Sequence, residues 1–137
     1  MRMEIRRLSD DFAVSPQIAV TDLPAIWDAG FRTIICNRPD GEDAGQPDVK
    51  TVESYARALG FEFLNIPAVS GKAAMPHAIA TRNAIADAPK PIFAYCRSGT
   101  RCTVIWSLMM LGDMDDADIL AATAAAGYDM SGLIHVD

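Results

Sequence analysis

Cysteine is scarce in this 137-residue sequence: Cys36, Cys96 and Cys102 are an odd number at irregular spacing. That excludes a disulfide framework. No C-x-x-C pair or His-Cys cluster offers a zinc site, and the two histidines, His77 and His135, stand far apart, so neither a metal nor a cofactor is expected. No apolar run approaches membrane-spanning length, and the three arginines of Met1–Ser9 lack the apolar stretch of a signal peptide. A cytoplasmic protein without membrane partners is expected. A basic surplus is also missing, since 12 Lys and Arg against 18 Asp and Glu leave a net charge of −6, which argues against a nucleic-acid partner. With no internal repeat or low-complexity linker, and half of its residues apolar, the chain reads as one domain, residues 1–137, with a substantial core.

What is present is an alternation of short apolar β-prone runs and helical patterns. Met3 to Val14 suggests one or two edge strands. Thr21 is suited to cap a short helix carrying Leu23, Ile26 and Trp27, with Pro24 in its first turn and Gly30 after its end. Phe31–Cys36 reads as a strand covered on both faces, followed by the polar turn Asn37-Arg38-Pro39-Asp40-Gly41-Glu42. Asp48 and Gly60 bracket a second helix, and Phe61–Ile66 forms another strand. The connection from Pro67 to Pro76 is long enough for a lid. Ile79, Ala80, Ala84 and Ile85 repeat at helical spacing, Pro91–Tyr95 is a buried strand, Thr103–Leu111 opens a long apolar helix, and an alanine-rich helix closes the chain before Gly127. The order predicts an α/β fold in three layers, a mostly parallel central sheet flanked by helices. Ligands of such sheets gather beyond the carboxyl ends of the strands, where both Arg38-Pro39-Asp40 and Cys96–Arg101 fall.

Cys96-Arg97-Ser98-Gly99-Thr100-Arg101 lies between a strand and a helix. A cysteine there meets free backbone N–H groups and the positive end of the helix dipole, which favour thiolate over thiol. Arg97 and Arg101 add donors suited to a tetrahedral oxyanion, and Ser98, Gly99, Thr100, Cys102 and Thr103 complete a candidate anion-binding loop. Cys96 is the expected nucleophile and Arg101 its catalytic partner. Cys36, by contrast, reads as a small buried hydrophobe.

Two thiolate chemistries use such a cradle. Tyrosine-type phosphatases carry Cys-x5-Arg followed by Ser or Thr; here Arg101 makes the spacing Cys-x4-Arg, Cys102 stands where that arginine would be, and Thr103 keeps the hydroxyl position. The six-residue loop is closer to that of rhodaneses, where cysteine takes up sulfane sulfur. Phosphate ester cleavage also needs a proton donor, and between Val49 and Asp87 the only acids are Glu53 and Glu62, assigned to a helix and a strand. Asp40 is the best remaining acid and His77 the second, although Arg38 and Asp40 are also suited to a salt bridge that holds their turn, and His77 reads first as a solvated residue at a helix start. Sulfur transfer needs no such acid, because the leaving group is already a stable anion. The sequence thus leads with a sulfurtransferase working through a Cys96 persulfide on a small anionic or sulfur-donor substrate. The alternatives are a cysteine-dependent phosphatase working through phosphocysteine, and a non-catalytic anion or redox sensor.

Ser15-Pro16-Gln17-Ile18, Gly30-Phe31 through Asn37-Arg38-Pro39-Asp40-Gly41-Glu42, Gln46-Pro47, Asn65-Ile66-Pro67 and Tyr95–Arg101 followed by Trp106 together resemble the beta-lactamase hydrolase-like, phosphatase-like domain family. The resemblance implies a dual-specificity phosphatase-like α/β fold with Cys96 as catalytic cysteine and Arg101 as anion-binding partner. It also implies a connection, by fusion or as a separate partner, to a metallo-beta-lactamase-fold enzyme that oxidises persulfides. Members of that family usually carry serine after the loop arginine. Here that position is Cys102, which reads first as a thiol packed in the opening turn of the helix and second as one able to resolve a persulfide or sulfenic acid.

Overall fold

The computed structural model describes residues 3–136; Arg2 of the basic amino-terminal stretch, with Met1 and Asp137, lies outside the described residues. The first two strands, β1 (Arg6–Ser9) and β2 (Phe12–Ser15), form an antiparallel hairpin at the sheet edge. A 3-10 turn at Val20–Asp22 leads into helix α1 (Leu23–Asp28), so Thr21 sits inside that turn rather than capping a helix. There follow β3 (Thr33–Cys36), α2 (Val49–Leu59), β4 (Glu62–Asn65), α3 (Met75–Ile85), β5 (Ile92–Tyr95), α4 (Thr100–Met109) and α5 (Asp116–Ala125). The sheet order is β1-β2-β5-β3-β4, and β2, β5, β3 and β4 all run parallel. The three-layer, mostly parallel arrangement expected from the element order is therefore the one observed.

Strand period fixes which residues face which layer. Phe93 and Tyr95 point toward α1 and α2, packing with Leu23, Ile26, Val52 and Ala56. Ile92, Ala94 and, one step past the strand, Cys96 point the other way, toward a core that contains Ala78, Ile105, Trp106 and Ile119 from α3, α4 and α5. Each fully buried large side chain of these two cores is worth about 1.5–3 kcal/mol relative to exposure. Continuing the alternation of β5 by one residue delivers the Cys96 side chain to the layer that holds α4.

Helix α4 begins three residues earlier than the apolar pattern predicts. Gly99 is its N-cap, at φ +90°, and Thr100, Arg101 and Cys102 already belong to its first turn. A side chain at residue 99 is excluded twice: by the left-handed backbone, and because a Cβ there would lie 2.1 Å from the Tyr128 hydroxyl oxygen. The polar residues of the first turn conceal the helix in the sequence, since periodicity is visible only where its apolar face begins.

Candidate functional site

The four parallel strands end at one edge of the sheet, and each end delivers part of the site. Gln17 follows β2, Cys96 follows β5, Arg38 and Glu42 follow β3, and Ala68 follows β4. Backbone hydrogen bonds stitch these ends together: Gln17 N–H to the Arg97 carbonyl at 3.1 Å, Asn37 N–H to the Tyr95 carbonyl at 2.9 Å, and Ala68 N–H to the Asn37 carbonyl at 3.0 Å. The Asn37 side-chain amide adds a bond to the Ile66 carbonyl at 2.7 Å. The expected lid is thus tied down at its base, and its turn at Ser70-Gly71 lines a cavity of about 260 Å³ together with Arg97, Ser98, Thr100 and Arg101.

Cys96 forms the closed end of the loop and is 0% exposed. Its sulfur accepts the Gly99 N–H at 3.1 Å. Hydrogen bonding from the Cys102 side chain is the largest influence on it; with the Cys102 and Gly99 backbone and the Arg101 charge, this overcomes the opposing effect of burial and lowers the thiol to about 5. Cys102 moves the other way, its thiol raised well above the ordinary value by burial and by the neighbouring Cys96. The pair therefore divides into a thiolate at Cys96 and a protonated donor at Cys102. Cys102 thus supplies a thiol donor beside the Cys96 sulfur.

Arg101 does not reach out freely. Its Nη1 and Nη2 each donate to Glu42 at 2.8 Å, Nη1 also donates to the Ala68 carbonyl at 2.9 Å, and the side chain is 8% exposed. The same Glu42 accepts from Arg38 Nε at 2.8 Å. Arg38 is itself buried, with Nη1 on the Gln17 amide oxygen and Nη2 on Asp43. One carboxylate therefore bridges two nearly buried guanidiniums, and these, Arg101 first, hold Glu42 at about 2. The sequence singled out Arg38 and passed over Glu42, which belongs to the same turn.

Several expectations need correction. Arg38 pairs with Glu42 and Asp43, not with Asp40. Asp40 is exposed and its Oδ1 accepts the Val49 N–H at 2.9 Å, so its carboxylate serves the start of α2 although Asp48 holds the N-cap position. His77 Nδ1 accepts the Ala74 N–H at 3.1 Å and so closes the first turn of α3, and His77 does not line the cavity at the loop. Thr103 lies inside α4 with its hydroxyl spent on the Gly99 carbonyl at 2.8 Å, so it shapes the turn rather than offering a donor to an anion. Ser98 Oγ lies 3.0 Å from Thr100 Oγ1 and accepts the Thr100 N–H, leaving both hydroxyls at the cavity mouth. Cys36 is buried as expected, its thiol donating to the Arg38 carbonyl.

Tyr128, past the end of α5, carried no functional signal in the sequence. Its hydroxyl donates to the Ser98 carbonyl at 2.8 Å while its oxygen covers Gly99, and Arg6 stacks on its ring. Burial raises its pKa, which keeps the phenol protonated and donating. It supports the loop from behind.

The sequence matches, over residues 4–113, a family described as beta-lactamase hydrolase-like protein, phosphatase-like domain. A beta-lactamase hydrolase-like protein of Agrobacterium fabrum is 33% identical over 131 residues, a span covering 93% of this chain and 30% of that protein. The chain thus spans about three-tenths of the length of the curated relatives it matches. Among solved structures, a candidate phosphatase from Neisseria meningitidis superposes with a TM-score of 0.84 at 32% identity, covering 93% of this chain and 92% of the other. A second candidate phosphatase, from Shewanella putrefaciens, gives a TM-score of 0.70 at 13% identity over 90% and 93% of the two chains, a likeness of fold alone. The fold is that of the cysteine phosphatases, dual-specificity phosphatase-like. The lead given to sulfur transfer by the short loop is not supported by these relatives. The sheet and helices around the loop are of the phosphatase kind.

Proposed function

The chain belongs to the beta-lactamase hydrolase-like protein, phosphatase-like domain family, and from that premise we propose that it is a cysteine-dependent phosphatase acting through phosphocysteine. The observation that carries this reading is the Cys96 sulfur, ionised near neutral pH, at the start of α4 beside a guanidinium fixed by Glu42. Cys96 Sγ attacks phosphorus in line, the S–P bond forms, and the bond to the leaving oxygen breaks with its electron pair on that oxygen. Water then attacks phosphorus, the P–S bond breaks, and the electron pair returns to sulfur as inorganic phosphate leaves. The α4 N-terminus and the remaining donors of Arg101 stabilise charge on the transferred group.

Hydrolysis of p-nitrophenyl phosphate, with phosphocysteine trapped by acid quench, is expected of the native protein and absent in Cys96→Ser. No turnover and no trapped adduct would sink this reading. A second reading, sulfane sulfur transfer, is favoured by one observation: the cavity at the loop is lined by hydroxyls and guanidiniums and by no carboxylic acid among the described residues. A single sulfur gained by Cys96 on incubation with thiosulfate would identify that chemistry.

A further inference from the structure

Among the described residues, the acids near the loop and the histidine named by the sequence are committed elsewhere. Asp40 accepts the first N–H of α2, His77 closes the first turn of α3, and Asp43 is paired with Arg38. Glu42 lies closest to the loop arginine, but two guanidiniums hold it ionised down to about pH 2, so it has no proton to give at any working pH. What lines the cavity over the loop is Ser70, Gly71, Arg97, Ser98, Thr100 and Arg101. Apart from Gly71, these carry hydroxyls and guanidiniums, none of which acts as a general acid near neutrality. An alkyl ester would have to leave as an unprotonated alkoxide. A leaving phosphate needs no proton.

The mouth of the same cavity has the composition of a site for that second phosphate. Arg97 is 64% exposed, and its contact with Asp43 is a loose 3.7 Å, which leaves most of its fork of donors facing outward. Beside it stand the hydroxyls of Ser98, Thr100 and Ser70. A guanidinium with hydroxyl donors around it suits a phosphate oxygen cluster. Arg101, held inward by Glu42 and Ala68, is left to the transferred phosphoryl group. The two arginines are thus set apart by their surroundings into an inner one and an outer one.

We propose that the phosphoryl donor is a phosphoanhydride, with the transferred phosphoryl group at Cys96 and Arg101 and the leaving phosphate held by Arg97 and the mouth hydroxyls. The inference rests on the phosphatase reading. In the first step Cys96 Sγ bonds to the terminal phosphorus and the bond from that phosphorus to the bridging oxygen breaks. The electron pair stays on the bridging oxygen, whose charge is met by Arg97 without proton transfer. In the second step water attacks phosphocysteine, the P–S bond breaks, the pair returns to sulfur, and the water proton passes to solvent as inorganic phosphate departs.

The test compares inorganic pyrophosphate, glycerol phosphate and p-nitrophenyl phosphate on the native chain and on Arg97→Ala, whose exposed position leaves the core intact. The expected result is a kcat/KM for pyrophosphate on the order of 100-fold or more above that for glycerol phosphate, the size of a missing acid's contribution. Arg97→Ala is expected to lower turnover of pyrophosphate by about 10-fold more than that of p-nitrophenyl phosphate, one charge-assisted contact to the leaving group. Equal turnover of pyrophosphate and glycerol phosphate, with p-nitrophenyl phosphate cleaved, would overturn the substrate class and leave the phosphatase reading standing. An equal loss on both probes in Arg97→Ala would remove the outer phosphate site. Failure on all three substrates, with no phosphocysteine, would overturn the phosphatase reading itself.

Discussion

Cys96 and Cys102 behave as one unit, and the pH dependence of the site follows from how they share a proton. Because the Cys96 thiol titrates at about 5, the reactive thiolate is lost as pH falls through that value and is fully present above it. The acid limb of kcat/KM for p-nitrophenyl phosphate should therefore rise near pH 5. Cys102→Ala removes the largest stabilising contact and should move that limb upward, toward the ordinary cysteine value of about 8.5, whereas Cys102→Ser should hold it lower. Thiolate absorbance near neutral pH checks the same shift without substrate. Glu42 makes a second prediction. Its folded value of about 2 lies below its ordinary 4.5, so its contribution to stability is complete above about 4.5 and disappears as pH falls toward 2. Urea midpoints at pH 6 and pH 3 should differ less in Glu42→Gln than in the native chain, and the freed Arg101 should cost that variant about 100-fold in kcat/KM. Cys96 was legible in the sequence because a strand, a short polar loop and a helix leave few places for its side chain. Glu42 was not, since Asp40, Glu42 and Asp43 crowd one turn and only the approach of α4 across the sheet selects which carboxylate meets an arginine.

The first turns of α2 and α4 show how elements are held at the site, and they can be tested separately from the chemistry. Asp40→Ala should destabilise the protein by about 1 kcal/mol, the usual worth of a side chain that accepts a free N–H at a helix start. Its kcat for p-nitrophenyl phosphate should stay within a few-fold of native. A loss of 100-fold or more on the acid side and plateau, with the alkaline limb of the profile abolished, would restore Asp40 to the role of acid. Tyr128→Phe keeps the ring and removes the bond to the Ser98 carbonyl, which should cost about 1 kcal/mol and speed hydrogen exchange at Arg97–Thr100. The strands and most helix ends were readable from periodicity, Pro and Gly. The start of α4 was not, because its first turn is polar and its N-cap is a glycine chosen for space under a distant tyrosine rather than for hydrogen bonding.

At the scale of the whole molecule, the parallel sheet explains why residues from Gln17 to Tyr128 meet at one edge. Four strand ends converge there, and the layers on either side are fixed by the alternation of β5, with Trp106 and Tyr95 among the largest side chains in the two cores. Trp106→Ala should cost about 3–5 kcal/mol and lower the thermal midpoint accordingly. Three-layer architecture was legible from the order of elements. The reaction is not legible from loop spacing alone, since a short cysteine loop and a fold of the phosphatase kind point to different chemistries. The Tyr128 contact bears on where this domain can be cut. The family match ends at Asp113, and the segment up to there already contains Cys96, Arg97, Arg101, Arg38 and Glu42. A fragment or fusion joined at that point would inherit the full set of reacting groups but not the phenol that braces Ser98. A junction placed past Tyr128 should keep the loop's shape.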